Sequence, residues 1–304
     1  MVSSSLRIIS PDSVSSILID GVVLIVETRG HALIRGLILL CLFHASALHA
    51  NQHGSKSIIT LSPHLAELVF LLGAGDQLKG VVEHSDFPEQ VKSIPRVGGA
   101  TGLDLERVLS IDPDLVLAWQ GGTRETDIRR LKELGLRVVS IKSETLEDIP
   151  DSLKILGVLL NKQLQASNLI EKFNKHLKRI AEKNRGQASH KVFIEISSQP
   201  LMGLTNRHPF GTGLGLCGLI NIFSDVDKAA IIADIESIFG RGVEYVLLRQ
   251  NTTSNDYIAR KKFYQINDYS AVKFVSFGED SAFRQTPRLL DAVDEVCSTV
   301  YGLN

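Results

Sequence analysis

Apolar positions along the 304-residue chain switch repeatedly between short continuous runs and helical spacing. Residues 57–61 (Ser-Ile-Ile-Thr-Leu), 78–82 and 137–141 are short apolar runs, as expected of strands covered on both faces. After the first run, Ser62 suits a helix cap and Pro63 the first helical position. Leu65, Leu68, Val69 and Leu72 then fall on one helix face. Residues 95–99 read as a further short strand and residues 123–134 as a further helix. Strands alternating with helices predict a parallel α/β sheet over residues 57–145. Residues 146–186 carry no strand signal. There Leu164, Leu169, Ile170, Phe173, Leu177 and Ile180 recur at helical spacing and predict an amphipathic helix of roughly 20 residues, longer than the usual ~11–12. Its place between two α/β segments makes it the expected connector. Residues 190–304 form the second α/β segment, with strands at 191–197 and 272–277, a loop at 200–212 carrying Arg207 and His208, a helix at 213–219, and a closing helix at 289–301.

One unit of the pattern occurs twice. Asp104 suits a helix cap, and Leu105, Val108, Leu109 and Ile111 form an apolar face. Asp112-Pro113-Asp114 turns the chain, since Pro113 cannot continue a helix. Leu115-Val-Leu-Ala118 is an apolar run, ending at Trp119, the only Trp in the chain, and Gly121-Gly122. Residues 235–249 align with 105–119 without a gap: Asp234 falls on Asp104, Glu236 on Glu106, and Tyr245-Val-Leu-Leu248 on the run. Two related lobes are therefore expected, each presenting a Glu at an exposed helix start. Ligands of open α/β sheets sit beyond the carboxyl ends of strands, which puts Trp119 at a ligand site.

Composition changes this picture little. The chain is 44% hydrophobic and 22% charged, with a formal net charge of -1, and no long basic run recommends nucleic acid as a partner. Its first fifty residues differ. Arg29 and Arg35 precede the apolar run 36–43, and Ala45-Ser46-Ala47 follows, the pattern of a cleaved secretory signal. That run is far short of the ~20 residues needed to span a bilayer. Cys41 follows Leu40, which does not fit a lipoprotein site. Asp20 and Glu27 are out of place ahead of a signal, so translation is expected to begin further downstream. Of three cysteines, Cys217 and Cys297 remain after cleavage in an oxidising compartment, where a disulfide is expected; two buried free thiols are the alternative.

Catalytic motifs are missing. Gly211-Thr-Gly-Leu-Gly215 fails the dinucleotide fingerprint because residue 216 is Leu. There is no P-loop lysine, GxSxG, CxxC or HExxH, so no enzyme is indicated. His64, His84, His190 and His208 are scattered and read as surface or loop residues, with His84 set apart by its strand-end loop.

These residues are similar to the periplasmic substrate-binding proteins of ABC importers for iron-siderophores, haem and cobalamin, most of all the cobalamin branch. The resemblance rests on Ile59-Thr-Leu-Ser-Pro63 with Glu67, Ser85-Asp-Phe-Pro88, Gly102-Leu-Asp-Leu-Glu-Arg107, residues 113–122, Asn221-Ile-Phe223, the two cysteines and Pro287-Arg288. It implies two Rossmann-like α/β lobes joined by a single long helix, with the ligand between them. It implies the Cys217–Cys297 disulfide, and docking of Glu106 and Glu236 onto the permease dimer of an importer with ATPase subunits. The ligand implied is cobalamin or cobinamide, with haem or a ferric siderophore as the alternative, and no intrinsic cofactor. Trp119 matches an aromatic that lines the cleft in cobalamin binders; other such positions fall on His84, Ala100, Met202 and Ala230. Ser85 and Asp86 share the His84 loop. His84 is a candidate axial ligand for the metal of a bound chelate. Arg284 and Arg207 are candidates for an anionic ferric ligand. A monomer with a rigid connector and small closure motion is expected.

Overall fold

A computed structural model describes residues 14–19, 22–27, 56–99, 101–249, 254–266 and 271–303. The signal segment expected around residues 29–50 lies outside them, as does Ala100. No helix of the described residues is long and apolar enough to cross a membrane. The chain divides into two compact units, Met1–Gly54 and Ser55–Asn304. In the first, β1 (Val14–Ile19) and β2 (Val22–Glu27) pair as an antiparallel hairpin with Val14 opposite Glu27.

The second unit begins with β3 (Ile58–Thr60), α1 (Pro63–Leu71) and β4 (Leu78–Val81). Ser62 caps α1 by accepting from the Leu65 N–H, with Pro63 at the helix start. The segment read as a strand at 95–99 is mostly loop. Only Gly98–Gly99 (β5) pairs there, antiparallel to Gly102–Leu103 (β6). Next come α2 (Leu105–Ile111), β7 (Leu115–Trp119), α3 (Glu125–Glu133) and β8 (Val138–Ile141). The first sheet is all parallel, in the order β4-β3-β7-β8.

Two helices follow, α4 (Asp148–Leu159) and α5 (Gln163–Lys183). The second, of 21 residues, is the long amphipathic helix the periodicity predicts, and α4 packs beside it.

The second sheet is built from β9 (His190–Ser198), β10 (Leu201–Leu204), β11 (Leu219–Asn221), β12 (Ala230–Ile232), β13 (Tyr245–Arg249) and β14 (Lys273–Phe277). Its order is β12-β10-β9-β13-β14, with β11 also on β9. Strands β9, β11, β13 and β14 run parallel, and β10 runs against them, pairing antiparallel with β9 on one side and β12 on the other. The stretch 200–212, read as a loop, thus contains a strand. Its signature is weak because Gly203 sits in the strand, where the Phe193 ring lies so close that a Cβ would meet it at 2.3 Å. The helices of this sheet are α6 (Pro209–Gly213), α7 (Ile235–Gly240), α8 (Ser254–Ile266), α9 (Glu279–Ala282) and α10 (Leu289–Tyr301). The helix expected at 213–219 begins earlier, at Pro209, and ends in a 3-10 turn over Leu214–Cys217.

Alternation along the strands explains how the lobes are joined, since successive side chains point to opposite faces. Leu115 and Leu117 of β7, and Tyr245 and Leu247 of β13, belong to one continuous core that also takes Leu153, Phe173 and Ile180 of α4 and α5. Val116 and Ala118 pack instead under Val108 and Ile128, and Val246 and Leu248 under Ile238 and Tyr264. Residues 57–145, 146–186 and 190–304 therefore share a common core on one side of both sheets. The Cys217–Cys297 bridge is formed, with both residues buried, and fastens α10 to the turn after α6.

Candidate functional site

The repeated unit is repeated in detail. Asp104 accepts from the Arg107 N–H at 3.0 Å and Asp234 from the Ser237 N–H at 2.7 Å. Residues 112 and 242 both leave their helices in the left-handed region, Asp112 with φ 50° and Gly242 with φ 76°. Asp114 accepts from the Ser57 N–H at 2.7 Å, and Glu244 accepts from the Lys191 N–H at 2.9 Å. Each carboxylate thus pins the start of the neighbouring strand. Glu106 and Glu236 lie exposed in the first turns of α2 and α7, where a carboxylate complements the helix dipole. Leu109, assigned to the apolar face of α2, is 44% exposed. The repeat diverges at the strand ends, where Arg249 occupies the position equivalent to Trp119.

Polar contacts join the lobes through the segment from Arg284 to Arg288. Glu67 of α1, 1% exposed, accepts two bonds from Arg288 at 2.8 and 2.7 Å and one from the Thr286 hydroxyl at 2.7 Å. The Arg288 guanidinium also lies 3.7 Å from the centre of the Phe87 ring. Arg284 donates to the His84 carbonyl at 2.8 Å and to Asp86 at 2.9 Å. Arg284, a candidate ligand contact, is thus engaged with the opposite lobe. His84 is exposed, with φ 62°, and faces Arg284 through its backbone. Ser85 is buried with its hydroxyl unpartnered among the described residues.

Between the lobes lies a cavity of about 390 Å³ lined by Trp119, Gln120, Gly121, Ser143 and Glu144 from the first, and by Arg207, His208, Asp227, Lys228 and Ala229 from the second. Trp119 ends β7 in a tight turn. Thr123 donates from its N–H to the Trp119 carbonyl at 2.9 Å, and its hydroxyl accepts from the Trp119 N–H at 3.0 Å. The six-membered ring lies over Gly122, where a Cβ would approach it to 1.8 Å. Only glycine fits there. His64 meets the indole edge-to-face at 5.2 Å.

His64 and His208, read as surface or loop residues, are buried. Burial, then the charges of Arg284 and His208, lowers the pKa of His64 to about 3, and burial lowers that of His208 to about 4. Both are neutral near pH 7. His208 caps α6 by accepting from the Phe210 N–H and contacts Gln285 at 3.2 Å. Arg207 pairs with Asp227 at 2.5 Å and with Glu144, from the other lobe, at 3.7 Å.

A larger cavity, about 600 Å³, lies within the second lobe beside β9, β13 and α8. Its wall contains Glu195, bound by both arms of Arg260 at 2.6 and 2.7 Å and by the Tyr264 hydroxyl at 2.8 Å. This cluster fastens α8 to the sheet, and the site spanning both lobes is the smaller cavity.

Of the expected ligand residues, Trp119 lines that cavity. Met202 and Ala230 are half-buried in β10 and β12, and Asp86 lies with Arg284. Sequence reasoning missed Ser143 and Glu144, which the strand-end rule reaches because they follow β8. It also missed Asp227 and Lys228, which carry no local signal. Among the described residues no three His, Cys, Asp or Glu converge on a metal-sized site.

A family model described as "Periplasmic binding protein" matches residues 58–266. A vitamin B12-binding protein of Pectobacterium carotovorum subsp. carotovorum is 32% identical over 252 residues, 82% of this chain and 90% of that protein. Among solved structures, the periplasmic vitamin B12-binding protein BtuF of Vibrio cholerae superposes with a TM-score of 0.72 at 26% identity, covering 81% of this chain and 96% of that one. The periplasmic haem-binding protein RhuT of Roseiflexus sp. RS-1 superposes with a TM-score of 0.71 at 16% identity, covering 82% and 99%; this likeness is one of fold.

Proposed function

Because the chain belongs to the periplasmic binding protein family, we propose that it captures cobalamin or a related corrinoid between its lobes and hands it to an ABC importer. The observation that carries the corrinoid reading is the 32% identity to a vitamin B12-binding protein along nearly its whole length. The cavity between the lobes, with Trp119 at the end of β7, supplies the place. Trp119 gives an aromatic wall for apolar contact. The imidazoles of His64, edge-to-face with that wall, and of His208, also lining the cavity, are neutral near pH 7.

Delivery runs through Glu106 and Glu236. The two related helix starts present matching carboxylates, suited to one arginine on each half of a two-fold permease. Such pairs are bidentate and charge-assisted, and two of them fix orientation. The protein works in the periplasm after removal of its N-terminal signal.

Titrating the purified protein with cyanocobalamin, followed calorimetrically, tests the ligand. Saturable 1:1 binding is expected. Saturable binding of haem with none of cyanocobalamin would overturn the corrinoid reading in favour of the haem alternative.

A further inference from the structure

In both helix-turn-strand units the exposed glutamate has the same kind of neighbours. The third residue after Glu106 is Leu109 and the fourth is Ser110; after Glu236 they are Phe239 and Gly240. Residues three and four apart are neighbours on a helix surface. Each carboxylate therefore stands beside one apolar and one small residue. Leu109 is 44% exposed, although the spacing of α2 assigns it to the core. Phe239 is half-buried, its ring edge-to-face with Tyr264 at 6.0 Å. Ser110 and Gly240 are both exposed. The Ser110 hydroxyl folds back to donate to the Arg107 carbonyl at 2.8 Å, and the space around Gly240 is open.

The charges around the units are engaged elsewhere. Arg107 donates to the Arg96 carbonyl at 2.8 Å, Arg124 pairs with Asp127 at 2.9 Å, and Arg241 pairs with Asp225 at 2.7 Å. Asp104 and Asp234 are occupied as caps, and Asp114 and Glu244 at the starts of neighbouring strands. By contrast, Glu106 and Glu236 make no hydrogen bond or ion pair among the described residues. A lysine or arginine at the fourth position would pair with the glutamate, and a small residue does not. Both carboxylates are thus left for a group outside the chain.

We propose that the permease-docking surface is, in each lobe, this glutamate together with the apolar residue beside it: Glu106 with Leu109, and Glu236 with Phe239. The proposal rests on the docking reading and adds the apolar half of the contact. Exposed ion pairs contribute little and are screened by salt, so two glutamate–arginine pairs alone hold a partner weakly. Apolar contact around a charge pair excludes water and strengthens it. The partner face that fits is an arginine with an apolar collar, once on each half of the permease. Ser110 and Gly240 let that collar come close to the helix and leave the carboxylate unobstructed.

The test measures docking of the protein to the importer's permease–ATPase complex in lipid nanodiscs, at low and at high salt. The variants are Leu109→Ser, Ser110→Lys and Gly240→Lys, with Leu164→Ser, at an exposed leucine near the start of α5, as a reference outside both units. None of them removes a buried side chain, and thermal unfolding verifies that each is folded. Leu109→Ser is expected to weaken docking about 5- to 10-fold and to steepen its loss with salt, with cyanocobalamin affinity unchanged. Ser110→Lys and Gly240→Lys, which place an ammonium beside each glutamate, are expected to weaken docking at least as much. Leu164→Ser is expected to dock as the wild type does. Wild-type docking by Leu109→Ser, with Glu106→Arg still abolishing it, would overturn the apolar anchor and leave the docking reading standing. An equal loss in Leu164→Ser would overturn the assignment of the anchor to these units. Docking that survives Glu106→Arg combined with Glu236→Arg would overturn both readings together.

Discussion

Glu67 is the residue on which the contact between the lobes most depends. Its carboxylate is almost fully buried and accepts from Arg288 and Thr286 of the opposite lobe. Arg288→Ala leaves that charge uncompensated, and loss of one partner of a buried pair typically costs about 3–5 kcal/mol. Urea unfolding is expected to show a loss near the lower figure, because Arg288 itself is partly exposed. The buried histidines make a separate prediction. In the unfolded chain a histidine titrates near 6.5, whereas His208 is lowered to about 4 and His64 to about 3. The unfolded state therefore binds protons first as pH falls. Stability is full above about pH 6.5 and declines from there toward about pH 4, by roughly 3 kcal/mol for His208 alone. Unfolding midpoints across that range should fall with acid in the wild type and fall less in His208→Gln. An equal slope in both would contradict the assignment.

At the scale of elements, the two helix-turn-strand units predict matched energetics. Asp104→Ala and Asp234→Ala remove equivalent caps and should each cost about 1 kcal/mol. Gly242→Ala places a Cβ where the backbone is left-handed and should cost about 1–2 kcal/mol. This repeat was legible in the sequence because local rules write it: a capping Asp, a turn and an apolar run at fixed spacing. The parallel strands β3, β4, β7 and β8 were legible for the same reason. Strand β10 was not, because Gly203 serves a close approach to Phe193, a contact between strands rather than a local preference. The helix around Pro209 was hidden too, since His208 supplies its cap through a ring nitrogen. The burial of His64 and His208 depends on tertiary packing, against Trp119 for the one and Gln285 and Phe283 for the other, and no periodicity records that. The same holds for the cavity. Trp119 stood out as the single Trp at a strand end, but Ser143, Asp227 and Lys228 acquire their roles only from the opposite wall.

For the whole molecule, one core runs beneath both sheets and through α4 and α5, and the segment from Arg284 to Arg288 binds the lobes a second time. Such a body closes little on a ligand, so solution scattering should give nearly the same radius of gyration with and without cyanocobalamin. A large ligand-dependent change would contradict the shared core. The Cys217–Cys297 bridge spans 80 residues; the chain-entropy model gives up to roughly 4–5 kcal/mol for a loop of that length, lost on reduction. Glu106→Arg with Glu236→Arg should leave ligand affinity unchanged while abolishing ligand-dependent ATP hydrolysis by the reconstituted importer.

The central claim is that a corrinoid is held between the lobes against Trp119. Because Trp119 is the only Trp in the chain, its fluorescence reports that wall alone. Titration with cyanocobalamin, corrected for absorption with free tryptophan, should quench the emission to a plateau at one ligand per protein. Calorimetric binding at the same stoichiometry with the Trp119 emission unchanged would place the ligand elsewhere and contradict the account.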